Sequence, residues 1–145
     1  MTRRRVLLVS LLATAVACGY KNRPIAPELV RPQPPLGLIA ASVPEGVKLS
    51  WQRPEKYTGG ARMNDLGRFL IERAPGDAPT TFTPVGEIQL DDQGRFRPEP
   101  HFSWVDTGAT EGQSYAYRVT AFTLDKSRST PAGPVTIRFE RKVAR

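Results

Sequence analysis

The spacing of proline and glycine is the feature that most restricts how this chain can fold. The 145 residues include fourteen prolines and twelve glycines. After residue 17, no proline-free stretch keeps the 3.6-residue period of an amphipathic helix. Short alternations of apolar and polar residues lie between the breaks instead, as in Val47-Lys48-Leu49-Ser50-Trp51. The sequence therefore predicts short strands joined by turns and excludes a helical bundle.

Seven runs with strand character follow one another along the chain. They are Leu36–Ser42, Val47–Trp51, Phe69–Arg73, Phe82–Leu90, Phe102–Asp106, Tyr115–Phe122 and Pro134–Phe139. A strand of period 2 has one apolar face, so two stacked sheets bury all of these faces. The prediction is an all-β, seven-stranded β-sandwich over residues 35–140. Its long connections, 52–68 and 89–101, are places where binding is built or where insertions are tolerated.

The predicted core includes one tryptophan and three residues of the clearest strand. Trp51 alternates in phase with Val47 and Leu49, which places its indole between the sheets. The other three, Tyr115, Tyr117 and Val119, share one face of their strand. Trp104 lies in phase with Phe102, and two interpretations stay open for it: a core side chain or an exposed aromatic contact.

The first seventeen residues predict a secretory signal peptide. Arg3, Arg4 and Arg5 form a positive start, and a largely apolar run extends from Val6 to Ala17. That run is shorter than the roughly 20 residues that a helix needs to span a bilayer. The following Ala15-Val16-Ala17-Cys18-Gly19 resembles the lipobox of bacterial lipoproteins. The resemblance implies cleavage before Cys18 and attachment of diacylglycerol and palmitate-type chains to its thiol.

The same residues also fit an ordinary signal peptidase site, because Ala15 and Ala17 form an A-x-A pattern. Both peptidases would cut the same bond, and they differ in whether Cys18 is lipidated or left as a free thiol. Cys18 is the only cysteine, and a lone free thiol is a liability in an oxidising compartment, which favours the lipid. We therefore expect residues 18–145 to be anchored to a membrane through Cys18.

The segment 18–34 is rich in proline and predicts an extended tether of about 50 Å. A ligand for an SH3-like partner is the alternative. Its start, Cys18-Gly19-Tyr20-Lys21, resembles the C-G-x-K start of small proteobacterial lipoproteins, some of which assist assembly of the lipopolysaccharide-transport machine. The resemblance implies an outer-membrane location, periplasm-facing or surface-exposed, and marks Lys21 as a possible interaction residue.

The predicted domain resembles fibronectin type III from about Pro34 to Glu140. Pro35, Trp51 and Pro54 are similar to landmarks of its first two strands, and Phe69–Arg73 is similar to its third. Asp106 and the pattern Gly112-x-x-Tyr115-x-Tyr117-x-Val119-x-Ala121 are similar to its E–F corner and F strand. The resemblance implies that the Tyr115 hydroxyl bonds to backbone upstream.

Charge and composition exclude most other functions. The net charge is +7, but three of these charges are Arg3, Arg4 and Arg5. The remaining cations are scattered, apart from a basic tail at residues 141–145 that extends a mild cluster begun by Arg138. We therefore expect no nucleic-acid partner.

No residue pattern points to catalysis or to a cofactor. A single cysteine and a single histidine exclude thiolate and histidine metal clusters. His101 has no nucleophile to serve, and Asp91-Asp92 near Glu87 is typical of a turn more than of a calcium site. We expect a non-enzyme without a metal or cofactor. Two functions remain: an interaction module that binds an envelope protein or polymer, and an assembly factor that acts through its acylated N-terminus.

Overall fold

The computed structural model describes residues 23–76, 78–96 and 100–141. The seven strands are β1 (Leu36–Val43), β2 (Gly46–Gln52), β3 (Leu66–Pro75), β4 (Thr83–Gln89), β5 (His101–Asp106), β6 (Ser114–Thr123) and β7 (Ala132–Arg138). Two helical turns add to them: a 3-10 turn at Pro27–Val30, and α1 at Asp92–Phe96 within the predicted β4–β5 connection.

The strands form two antiparallel sheets, and the prediction of a seven-stranded sandwich is confirmed. One sheet has three strands in the order β1-β2-β5, and the other has four in the order β4-β3-β6-β7. The hairpins are β1–β2, β3–β4 and β6–β7, while β2 also pairs with β5 and β3 also pairs with β6. Each sheet turns its apolar face towards the other.

The core lies between the sheets and contains the four predicted residues. Trp51 is 2% exposed, Tyr115 8%, and Tyr117 and Val119 are fully buried. The Trp51 indole meets the Phe69 ring edge-on at 5.5 Å and stacks on the Phe102 ring at 6.4 Å. Period-2 alternation in β2, β3 and β6 therefore places the side chains that join the two sheets.

The corner before β6 has the geometry that the resemblance implied for Tyr115. The backbone N–H of Thr110 donates a hydrogen bond of 3.0 Å to the Tyr115 hydroxyl. The Arg73 guanidinium lies 4.9 Å from the centre of the same ring. Tyr115 thus fixes the connection between β5 and β6 to the end of the sandwich.

Part of the predicted tether is docked on the domain, which corrects its boundary at residue 34. Residues 28–33 lie along the β2–β3 loop and pair with its backbone. The N–H of Gln33 donates to the Lys56 carbonyl at 3.0 Å, and the N–H of Gly59 donates to the Leu29 carbonyl at 3.0 Å. Pro32 is among the fully buried side chains. Prolines cannot enter a helix interior or a central strand, but they do not prevent an extended segment from packing against a loop.

Several predicted features lie outside the described residues. They are the signal peptide 1–17, the start of the tether with Cys18 and Lys21, and the tail beyond Arg141. Within the ranges that the structure describes, no helix has the length and apolar character needed to cross a bilayer.

Candidate functional site

A groove of about 670 Å³ lies on the outer face of the four-stranded sheet. Its floor consists of outward-facing side chains of β3 and β6. One wall consists of residues 28–32 of the docked segment, and the other consists of residues 128–131 of the β6–β7 connection. The groove is therefore built from parts of the chain that are far apart in sequence, and the docked segment is an integral part of it.

An ion pair held in fixed geometry occupies one end of the floor. Glu72 of β3 faces Arg118 of β6 on the neighbouring strand. The Arg118 Nε donates to Glu72 Oε2 at 2.8 Å, and its Nη2 donates to Oε1 at 3.0 Å. The guanidinium also lies 4.3 Å from the centre of the Phe82 ring. A two-point ion pair stacked on an aromatic ring orients Arg118 before any ligand arrives.

A second stacked arginine adjoins the floor near the β6–β7 connection. The Arg68 guanidinium lies 4.1 Å from the centre of the Phe122 ring, and its Nη1 donates to Glu87 Oε2 at 2.8 Å. Between the two arginines, Leu70 of β3 faces Thr120 of β6. The floor is thus an apolar strip with a fixed arginine at each end.

The walls contribute two arginines that have no ion-pair partner within the described residues. Arg31 and Arg128 are both exposed, and neither forms an ion pair with a residue in the described part of the chain. Glu28 is the acidic side chain of the wall and is likewise exposed. Because Glu72 already binds Arg118, the walls offer a ligand two free cations against one free carboxylate. The groove therefore favours a partner with both apolar and anionic groups.

A buried carboxylate holds the neighbouring core and does not form part of the groove. Asp106 Oδ2 accepts hydrogen bonds from Arg73 Nη1 at 2.7 Å and from the Tyr117 hydroxyl at 2.8 Å. Asp106 Oδ1 accepts from the Gly108 N–H at 3.0 Å. Burial, together with the Asp106 carboxylate, raises the pKa of Tyr117 well above its ordinary value of 10.0. The hydroxyl therefore remains a protonated donor, which suits a structural role.

Trp104, for which two interpretations were open, packs within the sandwich. Its indole lies over Gly86 of β4, where an added Cβ would fall 2.4 Å from Trp104 Cζ2. The side chain is partly buried against the core. Since β5 and β4 are edge strands of different sheets, Trp104 closes the side of the sandwich between them. This position favours the core interpretation over an exposed aromatic contact.

The remaining candidates do not gather into a reactive site. His101 is exposed at the start of β5, opposite Gln52. Glu87 is bonded to Arg68, and Asp91 Oδ1 accepts from the Gly94 N–H at 2.6 Å. Across residues 23–76, 78–96 and 100–141, no group of three or more His, Cys, Asp or Glu side chains is placed to hold a metal ion.

Sequence reasoning did not identify the groove. One signal for its floor was available, because Arg68, Leu70 and Glu72 alternate outward on β3 opposite Phe122, Thr120 and Arg118 on β6. Opposite charges at facing positions of neighbouring strands predict such a pair once the strand register is known. No local sequence pattern predicts the walls of the groove, because Arg31 reaches the sheet only through the docking of residues 28–33.

Comparison with solved structures identifies the fold. The chain superposes on the fourth FNIII domain of a human protein with a TM-score of 0.54 at 12% identity, covering 92% of this chain and 95% of that domain. It also superposes on the twitchin kinase region from C. elegans, which has the segments Fn31-NL-kin-CRD-Ig26. That TM-score is 0.56 at 19% identity. The domain is a fibronectin type III-like β-sandwich.

Two of the similar structures are much longer than this chain. The chain covers 18% of the twitchin chain, with 79% of its own residues aligned. It covers 13% of a beta-1,2-glucanase from Parabacteroides distasonis, with a TM-score of 0.53 and 18% identity over 77% of its own residues. The resemblance to both is one of fold. No protein-family model and no curated protein sequence matches the chain.

Proposed function

We propose that this chain is a membrane-anchored lipoprotein of the cell envelope whose fibronectin type III-like domain binds a partner without catalysing a reaction. The observation that carries the proposal is the groove, with its fixed arginine floor and its two unpaired wall arginines, Arg31 and Arg128. A fold by itself does not determine a function, so the proposal depends on the residues of the groove, and the fibronectin type III-like sandwich is compatible with an interaction module. The partner is an envelope protein or polymer that presents anionic and apolar groups.

The anchoring part of the proposal has its support in the N-terminal sequence. Three arginines, a short apolar run and a lone cysteine after Ala15-Val16-Ala17 are arranged as in bacterial lipoproteins. The docked segment begins near Pro27, so about nine residues separate it from Cys18. A chain of that length reaches at most about 30 Å, which keeps the domain close to the membrane.

A second candidate function is assembly of outer-membrane machinery through the acylated N-terminus. It is favoured by one observation, the resemblance of Cys18-Gly19-Tyr20-Lys21 to small lipoproteins of the lipopolysaccharide-transport assembly kind. Under this hypothesis the sandwich is secondary. A truncation that separates the two functions has to end before the docked segment, at Ala26 or earlier, because residues 28–33 belong to the domain.

Site-specific photo-crosslinking in living cells tests the interaction proposal. A photoreactive phenylalanine analogue replaces Thr130 at the groove wall in the full-length chain. The matched control replaces Ser103, which is exposed on the outer face of the three-stranded sheet. We expect a discrete adduct from position 130, absent from position 103, that is lost when Arg31 and Arg128 are both changed to glutamate.

Two results would contradict the proposal. An adduct that forms equally from both positions, or that survives the double arginine substitution, would show that the groove does not bind the partner. A chain truncated after Ala26 that retains full activity in its host would favour the second candidate function.

A further inference from the structure

We propose that the end of the sandwich at which the N-terminal segment docks rests on the surface of an anionic bilayer. We call this end the basic end and define it by residues 23–33, 53–65 and 124–131. Backbone hydrogen bonds bring these three stretches together. The Gly59 N–H donates to the Leu29 carbonyl at 3.0 Å, and the Leu124 N–H donates to the Asp65 carbonyl at 2.9 Å.

The first observation is the placement of exposed apolar side chains. Among the described residues the large hydrophobic side chains that are exposed are Ile25, Leu29, Leu36, Ile39 and Leu124. Leu29 and Leu124 are 48% and 55% exposed within the basic end, and Ile25 is 67% exposed just before the docked segment. Leu36 borders the basic end at the start of β1. Scattered exposed leucines are ordinary, but four of these five gather at one end of the molecule.

The second observation is the charge at the same end. The three stretches contain seven Lys and Arg residues against four Asp and Glu residues. The side chains of Lys56, Arg62 and Lys126 are exposed, and within the described chain none of them forms an ion pair. The nearby connection that contains α1 contributes Asp91 and Asp92. At the opposite end, within the described residues, Glu140 and Glu111 pair with Arg138 at 3.8 Å and Arg141 at 3.9 Å, and Glu45 is exposed in the β1–β2 turn.

Exposed apolar side chains beside unpaired cations are the chemistry of a surface that lies at the interface of an anionic membrane. The aliphatic side chains enter the boundary of the acyl chains, while the cations contact the phosphate groups of the lipids. Each such cation increases partitioning to an anionic surface by about fivefold. Arg31 and Arg128 belong to the same stretches but line the groove on the outer face of the four-stranded sheet, where they remain available to a partner.

The place at which the chain enters the domain agrees with this orientation. This agreement rests on the proposed anchoring at Cys18. The chain enters the domain at the basic end, and Cys18 is about nine residues from the docked segment. Since nine residues span at most about 30 Å, an anchor at Cys18 holds the basic end nearer to the membrane than the opposite end. The groove then opens close to the bilayer, on the side of the domain.

The test uses the full-length chain, extracted from membranes and reconstituted in vesicles that contain brominated lipids. Leu124→Trp places a fluorophore at the basic end, and Glu45→Trp places one in an exposed turn at the opposite end. The unsubstituted protein gives the background from Trp51 and Trp104. Vesicles are made of phosphatidylcholine alone, which is neutral, or of phosphatidylcholine and phosphatidylglycerol at a ratio of 7:3. Near-ultraviolet circular dichroism checks that both variants keep the native packing.

We expect the added quenching at position 124 to be at least about threefold that at position 45, and only in vesicles with phosphatidylglycerol. The triple substitution Lys56→Glu, Arg62→Glu and Lys126→Glu should remove this difference. Equal quenching at both positions, or a difference that survives the triple substitution, would overturn the proposal.

Flotation of the same samples separates this inference from the proposed anchoring. Flotation with neutral vesicles reports the lipid anchor alone. Protein that floats with neutral vesicles and shows equal quenching would keep the anchor and overturn the docking. Protein that floats only with anionic vesicles and keeps the difference between positions 124 and 45 would retain the docking and overturn the anchor.

Discussion

The buried carboxylate of Asp106 draws donors from three separate parts of the chain. Arg73 comes from β3, Tyr117 comes from β6, and the Gly108 N–H comes from the turn after β5. Among the described residues, Asp106 is the acidic side chain that is buried, at 4% exposure. A buried charge is tolerated where hydrogen bonds replace its lost hydration, and here three donors do so. The cluster therefore ties the two sheets together at one end.

Tyr117→Phe should weaken this cluster and change its dependence on pH. Loss of a hydrogen bond to a charged acceptor should lower the free energy of unfolding by about 1.5–3 kcal/mol at pH 7. The pKa of Tyr117 is raised in the folded state by burial and by Asp106. Unfolded tyrosine ionises near pH 10, so the stabilisation by Tyr117 is complete below about pH 10 and declines above it. Urea unfolding should show a smaller difference in the free energy of unfolding between the unsubstituted protein and Tyr117→Phe at pH 10.5 than at pH 7. The same difference at both pH values would contradict this.

Trp51→Ala should lower the free energy of unfolding by about 3–5 kcal/mol, because it leaves a cavity between the sheets. Trp51→Phe should lower the free energy of unfolding by less than half of that amount. It keeps a ring against Phe69 and Phe102 and removes the indole Nε1–H, which is buried and has no hydrogen-bond partner in the described structure. Urea unfolding of both variants measures the difference. An unchanged midpoint for Trp51→Ala would show that the indole does not stabilise the core.

At the scale of the elements, the edge between β4 and β5 depends on the absence of a side chain at position 86. Gly86→Ala would place a methyl group 2.4 Å from Trp104 Cζ2, so the indole has to move. We expect a loss of about 1–3 kcal/mol in the free energy of unfolding and a weaker near-ultraviolet circular dichroism signal.

Gly108→Ala is the matched control for this prediction, because its added methyl group would be no closer than 3.4 Å to Asp106 Oδ1. It should change stability by less than about 0.5 kcal/mol. Equal effects of the two substitutions would show that Trp104 does not close this edge.

The docked segment can be released by a change in the loop that it contacts. Gly59→Ala would place a methyl group 2.9 Å from the Leu29 carbonyl oxygen and 3.0 Å from Leu29 Cβ. Thermolysin should cleave the unsubstituted protein before Ile25 and leave a resistant fragment. In the variant it should also cleave before Leu29 and Val30, several times faster than in the unsubstituted protein. Equal cleavage before Leu29 in both proteins would mean that the segment does not dock.

The strands could be predicted from the sequence because their signal is local. Alternation in Val47–Trp51 and Tyr115–Phe122 predicts both the strand and its buried face, and prolines and glycines mark the turns. The predicted tether includes residues that the structure docks on the domain. A high proline content excludes helices and central strands, but it does not predict which part of the domain a segment packs against. The five-residue α1 has too few turns to show a helical period.

The groove could not be predicted from local sequence patterns, for a similar reason. Its floor depends on the register between β3 and β6, and its walls depend on the docking of residues 28–32 and the course of residues 128–131. Each is a tertiary relation between segments distant in sequence. The outward residues of a strand predict a polar face, but no local pattern predicts that Arg31 and Arg128 on the walls have no ion-pair partner among the described residues.

At the scale of the whole molecule, the connection between Cys18 and the sandwich is short. Docking from Pro27 onward leaves about nine residues after Cys18, where the sequence alone predicted seventeen. If Cys18 is lipidated as proposed, a connection of this length would restrict both the height and the orientation of the domain above the membrane. Under the proposed anchoring, the groove would meet its partner near the bilayer surface.

The intact mass of the protein extracted from its native membranes tests this arrangement most directly. We predict a chain that begins at residue 18 and carries the added mass of a diacylglycerol group and a further acyl chain, all of it lost in Cys18→Ser. Two or more acyl chains anchor a protein stably, whereas one binds only marginally. A chain that begins at residue 18 with an unmodified thiol and is found in the soluble fraction would contradict the account.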